Sequence, residues 1–131
     1  MAELYRELMD AATDIEKLRE VFAFIDSNPD YALIAAKDKQ GNLLGSMLGI
    51  ICCDVVGDCR PFMVIENVIV RSACRGQGVG RQLMEHIEAW GRQRGCYYAM
   101  LVSSASRKEA HQFYMSVGYD QTPVQGFKRY L

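Results

Sequence analysis

Three alternating glycines stand in the run Arg75-Gly76-Gln77-Gly78-Val79-Gly80-Arg81. Upstream lies a stretch rich in β-branched residues, Phe62 to Val70. Downstream, Leu83, Met84, Ile87 and Trp90 recur at helical spacing. A strand, a glycine-rich loop and a helix start together make an anion-binding arrangement. The first backbone N–H groups of a helix have no partner inside it, and the macrodipole is positive at that end. Glycines let the backbone come close to a phosphate. Arg75 and Arg81 can add charge-assisted contacts. The run lacks the Gly-Lys-Ser/Thr of a Walker loop. Nor is it a dinucleotide fingerprint, because the last glycine of G-x-G-x-x-G would fall on Arg81.

Other reactive side chains say less. The five cysteines, Cys52, Cys53, Cys59, Cys74 and Cys96, are odd in number and form no C-x-x-C pair. That argues against a zinc site or a full disulfide framework and fits reduced thiols in a cytoplasmic protein. No cysteine sits in a recognisable nucleophile setting. His111 precedes Tyr114 by one helical turn, which makes the two neighbours and nothing more. It reads as a surface or cap histidine, and His86 carries no signal.

The elements around the loop follow from pattern. Leu4, Leu8, Ala11, Ile15, Leu18, Phe22 and Ile25 form a helical stripe. Thr13 with Glu16 is a capping-box pattern, so the stripe is expected to break into two helices near Thr13. The second helix must stop before Asn28-Pro29. Tyr31 to Lys37 and Leu43 to Cys53 flank the turn Asp38-Lys39-Gln40-Gly41-Asn42 and read as a β-hairpin. Gly45 and Gly49 inside the second run imply a bulge or a close approach of another group. Val56-Gly57-Asp58 is a further turn, and Phe62 to Val70 a third strand. Gly95 ends the helix after the loop. Tyr97 to Val102 reads as a fourth strand. Ser106 with Glu109 opens a short helix that Gly118 closes. Phe127 to Leu131 is expected as a last strand.

With 131 residues, the chain has the length of one domain, expected over 1–131 with an α+β fold. Fifteen basic and sixteen acidic side chains leave a net charge of −1, which speaks against a nucleic-acid surface. No apolar run approaches the roughly 20 residues of a membrane helix. The first ten residues, MAELYRELMD, are acidic and amphipathic, unlike a secretory signal.

The stretch Val68-Ile69-Val70 … Arg75-Gly76-Gln77-Gly78-Val79-Gly80 … Leu83-Met84 resembles the R/Q-x-x-G-x-G/A signature of the GNAT superfamily of N-acetyltransferases. Thirty residues later, Ala110-His111-Gln112-Phe113-Tyr114-Met115-Ser116-Val117-Gly118-Tyr119 is similar to that family's second signature, A-x-x-F/L-Y-x-x-x-G-F/Y. Order and spacing match as well. The resemblance is specific from Phe62 to Tyr119 and looser from Tyr31. It implies a mixed, mostly antiparallel sheet flanked by helices. The family usually opens with a strand ahead of its first helix, and this chain starts at the helix.

The resemblance also implies roles. Backbone amides from Arg75 through Gly76, Gln77, Gly78, Val79 and Gly80 to Arg81 would hold the pyrophosphate of acetyl-CoA, with no metal. The backbone of Val68, Ile69 and Val70 would pair with the pantetheine arm as a sheet edge does. Tyr114 matches the family tyrosine near the thioester sulfur, where a phenol can protonate a departing thiolate. Glu66 lies where many similar enzymes place a carboxylate facing the acceptor amine, whose proton it can accept. Alternation puts Glu66 on the face of Val68 and Val70. A charge in an apolar strand is costly without a task. Many members carry an asparagine three residues before the motif alanine. Here that slot is Arg107, so the pantetheine contact falls to Arg107 or to a serine among Ser103, Ser104 and Ser106.

The reading that follows is direct acetyl transfer from acetyl-CoA to the primary amine of a small molecule, in a ternary complex. The second motif is similar to that of aminoalkylphosphonate and aminoglycoside N-acetyltransferases. Two alternatives stand beside it: a protein lysine or N-terminal acetyltransferase, and a non-catalytic acyl-CoA-binding module. Neither nucleic acid nor membrane is expected as a partner, and the resemblance leaves room for a homodimer.

Overall fold

The computed structural model of the chain describes residues 1–9 and 13–131. Two compact units divide it, Met1–Met100 and Leu101–Leu131. The first holds the helices α1 (Ala2–Met9) and α2 (Ile15–Ser27), then the strands β1 (Tyr31–Lys37), β2 (Leu43–Cys52) and β3 (Phe62–Val70). A short 3-10 turn, Ser72–Cys74, and the helix α3 (Val79–Gln93) follow, and β4 (Ala99–Leu101) crosses the boundary. The second unit holds the helix α4 (Lys108–Ser116). No helix among the described residues is long and apolar enough to cross a membrane.

The first break in the chain falls where expected, but one residue along. Asp14 rather than Thr13 caps α2, its carboxylate accepting the N–H groups of Glu16 and Lys17 at 3.1 and 3.2 Å. The apolar stripe is not continuous across that break. Leu4 is fully buried and Leu18, Phe22 and Ile25 are half-buried, whereas Ile15 is exposed. Ala11 lies outside the described residues. At the far end, Asn28 is extended, as a residue before proline must be, and α2 stops at Ser27.

The hairpin forms as read. Asp38 organises its turn, accepting the N–H groups of Gln40 and Asn42 at 2.9 and 2.8 Å, with Gly41 at φ +86°. The sheet order is β1-β2-β3-β4, and β1-β2 and β2-β3 are antiparallel. Two hydrogen bonds tie the chain entering β4 to the start of β3: Tyr97 N–H to the Pro61 carbonyl and Met63 N–H to the Tyr98 carbonyl. Both partners advance in the same chain direction, so β4 runs parallel to β3. With three residues against nine, β4 covers only the Phe62 end of β3.

Three expectations fail here. The fourth strand is shorter than Tyr97 to Val102. No strand forms at Phe127 to Leu131, where Phe127, Tyr130 and Leu131 are exposed. Apolar content makes a strand only when a sheet edge pairs with it, and this segment has none in the sheet. At α4 the Ser106–Glu109 capping box does not form either. Arg107 is the N-cap without a side-chain bond, and Ser106 Oγ pairs instead with Ser104 Oγ at 3.0 Å.

Packing of α3 on the sheet explains the glycines of β2. Leu83, Met84, Ile87 and Gly91 are its buried residues. A Cβ on Gly49 would lie 2.7 Å from Ile87 Cδ1 and 3.1 Å from the Trp90 ring. On Gly45 it would lie 2.8 Å from the backbone carbonyl of Ile69. Absent side chains thus let the helix settle onto the strands. Gly45→Ala is expected to destabilise the fold by about 1–3 kcal/mol, the usual cost of overpacking, because a paired backbone cannot retreat as a side-chain tip can. Chemical denaturation of wild type and variant measures it, and equal midpoints would mean that β3 shifts freely.

Candidate active site

In β3 an irregularity decides which side chains face which way. Leu48 pairs with Glu66 and Ser46 with Ile69, so two steps on β2 match three on β3. The extra residue is a β-bulge, and Asn67 within it takes the left-handed φ of +54°. Asparagine tolerates that conformation better than most residues. Directly paired residues share a face. Val70, the partner of Gly45, and Ile65, the partner of Gly49, therefore lie on the α3 face. Glu66 shares the other face with Leu48, Ser46 and Ile69.

This corrects simple alternation, which put Glu66 with Val70. The bulge inserts one residue and reverses the parity beyond it. Glu66 is also exposed, so no burial cost attaches to its charge. Val68 and Val70 are half-buried and Ile69 is buried.

The glycine loop is left-handed and open on its outer side. Gly76 and Gly78 have φ of +74° and +81°, values that L-residues rarely take, and a Cβ on either would meet nothing within 4 Å. These two glycines serve backbone conformation beside open space, whereas Gly45 and Gly49 serve packing. Gly78 is the N-cap of α3 and has no side chain with which to cap it. Its carbonyl accepts the Gln82 N–H at 3.1 Å, and glycine makes no side-chain cap bond to the first turn. The loop side chains turn back on their own segment. Arg75 Nε donates to the Val70 carbonyl at 3.2 Å, and Gln77 Nε2 to the Ala73 carbonyl at 3.1 Å. Backbone amides, Val79 and Gly80 among them, are thus the donors that the loop offers outward, with Arg81 exposed beside them.

Sequence reading missed the part played by α1. The Glu7 carboxylate accepts the Ser72 N–H at 3.0 Å. That bond, together with the charges of Arg71 and Arg75, holds its carboxyl below the usual glutamate range. The sign follows: the contact is complete above the ordinary glutamate pKa and is lost as pH falls through the lowered one. Tyr5 faces the fully buried hydroxyl of Ser46. Burial pushes the phenol up, and the serine partly offsets it. Neither residue belongs to a motif, and only the long-range packing of α1 on β3 reveals them.

The second unit carries the other motif. Tyr114 is buried on α4, its ring against Phe113 and Tyr119 at 5.4 and 6.4 Å between centroids. His111 Nε2 lies 2.9 Å from the Ser104 carbonyl, a structural bond that ties α4 to the segment before it. Arg107 and Ser106 are exposed. Ser103 Oγ is a buried oxygen for which the described residues supply no hydrogen-bond partner. Among the described residues no three His, Cys, Asp or Glu side chains gather as a metal site would require.

Comparison with known proteins agrees with this arrangement. The model of the acetyltransferase (GNAT) family matches residues 1–119. The chain is 29% identical over 118 residues to the aminoalkylphosphonate N-acetyltransferase of Salmonella typhimurium, covering 88% of this chain and 74% of that one. It is 27% identical over 128 residues to glucosamine 6-phosphate N-acetyltransferase 1 of Dictyostelium discoideum, covering 95% and 78%. A solved structure from Agrobacterium tumefaciens, described as an acetyltransferase, superposes with a TM-score of 0.88 at 28% identity, over 99% of this chain and 90% of that one. A strand that bulges, an uncapped glycine loop and the match along nearly the whole chain lead to one conclusion: the chain belongs to the GNAT family of acetyl-CoA-dependent N-acetyltransferases.

Proposed function

We propose that the chain, 1–131 acting as one catalytic domain, acetylates a primary amine of a small molecule by direct transfer from acetyl-CoA. The observation that carries this is the left-handed, side-chain-free start of α3, open above Gly76 and Gly78. Two diphosphate charges fit such a cradle of backbone N–H groups, and a metal is not needed to hold them. Small-molecule amines are favoured as acceptors because two relatives are named for such substrates.

The residues divide the work. The amides from Arg75 to Arg81 bind the pyrophosphate. The β3 backbone at Val68, Ile69 and Val70, beyond the reach of the three-residue β4, offers sheet-like partners to the pantetheine amides. A further pantetheine contact falls to the exposed Arg107 or Ser106, both of which a ligand can reach. Acetyl-CoA supplies an acetyl group activated as a thioester. Glu66 takes a proton from the attacking amine, through water where the two do not touch. As the new C–N bond forms and the C–S bond breaks, the Tyr114 phenol gives a proton to the departing sulfur.

Thiol release from acetyl-CoA across a panel of small primary amines tests the reading. Wild type should release thiol only with an amine present. Tyr114→Phe should lower turnover by about 10²–10⁴-fold, the usual share of a general acid, with CoA affinity preserved. Full turnover in a folded Tyr114→Phe variant would remove the phenol from the chemistry. Glu66→Gln should lower turnover most at low pH, where the amine is mostly protonated and a base matters more. Activity equal to wild type at every pH would leave Glu66 a surface residue.

A further inference from the structure

We propose that Glu7 of α1 is a positioning residue for CoA binding, its carboxylate fixing the point where β3 passes into the glycine loop. The proposal rests on the reading that this loop takes the CoA pyrophosphate.

The geometry is a tether across 65 residues of sequence, from Glu7 Oε2 to the Ser72 N–H at 3.0 Å. Ser72 follows β3 by two residues and opens the 3-10 turn that feeds the loop. Around it the chain is pinned from the sheet side as well. Arg71 N–H donates to the Leu44 carbonyl at 2.8 Å and Arg71 Nε to the Leu43 carbonyl at 3.1 Å. Arg75 Nε holds the Val70 carbonyl at 3.2 Å. Sheet bonds fix one side of this crossing and Glu7 fixes the side toward α1. Amides that must point at a ligand tolerate little misplacement, since hydrogen bonds weaken steeply off axis.

Two effects of Glu7 oppose each other, and the sign of the outcome separates them. As a bare charge, it repels phosphates and draws on Arg71 and Arg75, so removing it would tighten CoA. As a positioning group, its removal loosens CoA. An exposed contact contributes little to global stability, so the effect belongs in ligand affinity rather than in melting temperature.

Calorimetric titration of the full chain with CoA decides. Glu7→Ala should raise the CoA dissociation constant roughly threefold to tenfold, the range of effects relayed through structure. Glu7→Gln keeps an oxygen that can accept the Ser72 N–H and should recover most of the affinity. Ser72→Pro deletes the donor itself. Arg71, at ψ 133°, has the conformation that a residue before proline needs, and proline is tolerated at the first helical position. That variant should match Glu7→Ala, and the double variant should be no worse than either alone. Should Glu7→Ala unfold, Ser72→Pro carries the same test. An unchanged or tighter dissociation constant in folded Glu7→Ala overturns the proposal while leaving the CoA reading intact. Failure of wild type to bind CoA overturns that reading first, and the proposal with it.

Discussion

The start of an α-helix carries N–H groups that its own turns cannot satisfy, and the proposed site is organised around one such start. Gly78 caps α3 without a side chain, in a left-handed conformation that other residues adopt at a cost. Its position is set by the packing and bonds around it. Leu83, Met84 and Ile87 bury one face of the helix against the sheet. Gly45 and Gly49 remove the side chains that would hold it off. Arg71, Arg75 and Glu7 anchor the chain that leads into it.

A bulge at Asn67 supplies the second constraint. It lets β3 present Ile65 and Val70 to α3 while Glu66 lies on the opposite face with Ser46 and Ile69. One inserted residue thus sends Glu66 to the face opposite Ile65 and Val70 within nine residues of strand. The same face receives α1, which brings Tyr5 to Ser46 and Glu7 to Ser72.

Much of this was legible in the sequence, for reasons that differ by element. The three long strands and the α3 stripe are written in local pattern, and apolar runs bounded by turn residues mark their limits closely. The loop was legible because glycine at positions 76 and 78 has a specific physical meaning. What stayed hidden depends on pairing. Alternation cannot register a bulge, so Glu66 was assigned the wrong face. Phe127 to Leu131 has strand composition but no edge to pair with. Glu7 has no motif, and its contact lies 65 residues away. Local competition also shifted two caps: Asp14 displaced Thr13, and Ser106 bonded Ser104 instead of its helix.

Backbone amides at the start of α3 and at the end of β3 are the proposed seat of acetyl-CoA. Backbone amide resonances followed during a titration with CoA test it most directly, because they report each N–H separately. The account predicts that the largest shifts fall on residues 76–81, with a second group at 67–70, while Gly41 and Gly57 in the hairpin turns stay still. Saturating CoA that leaves residues 76–81 unmoved, or shifts concentrated in those distant turns, would contradict it.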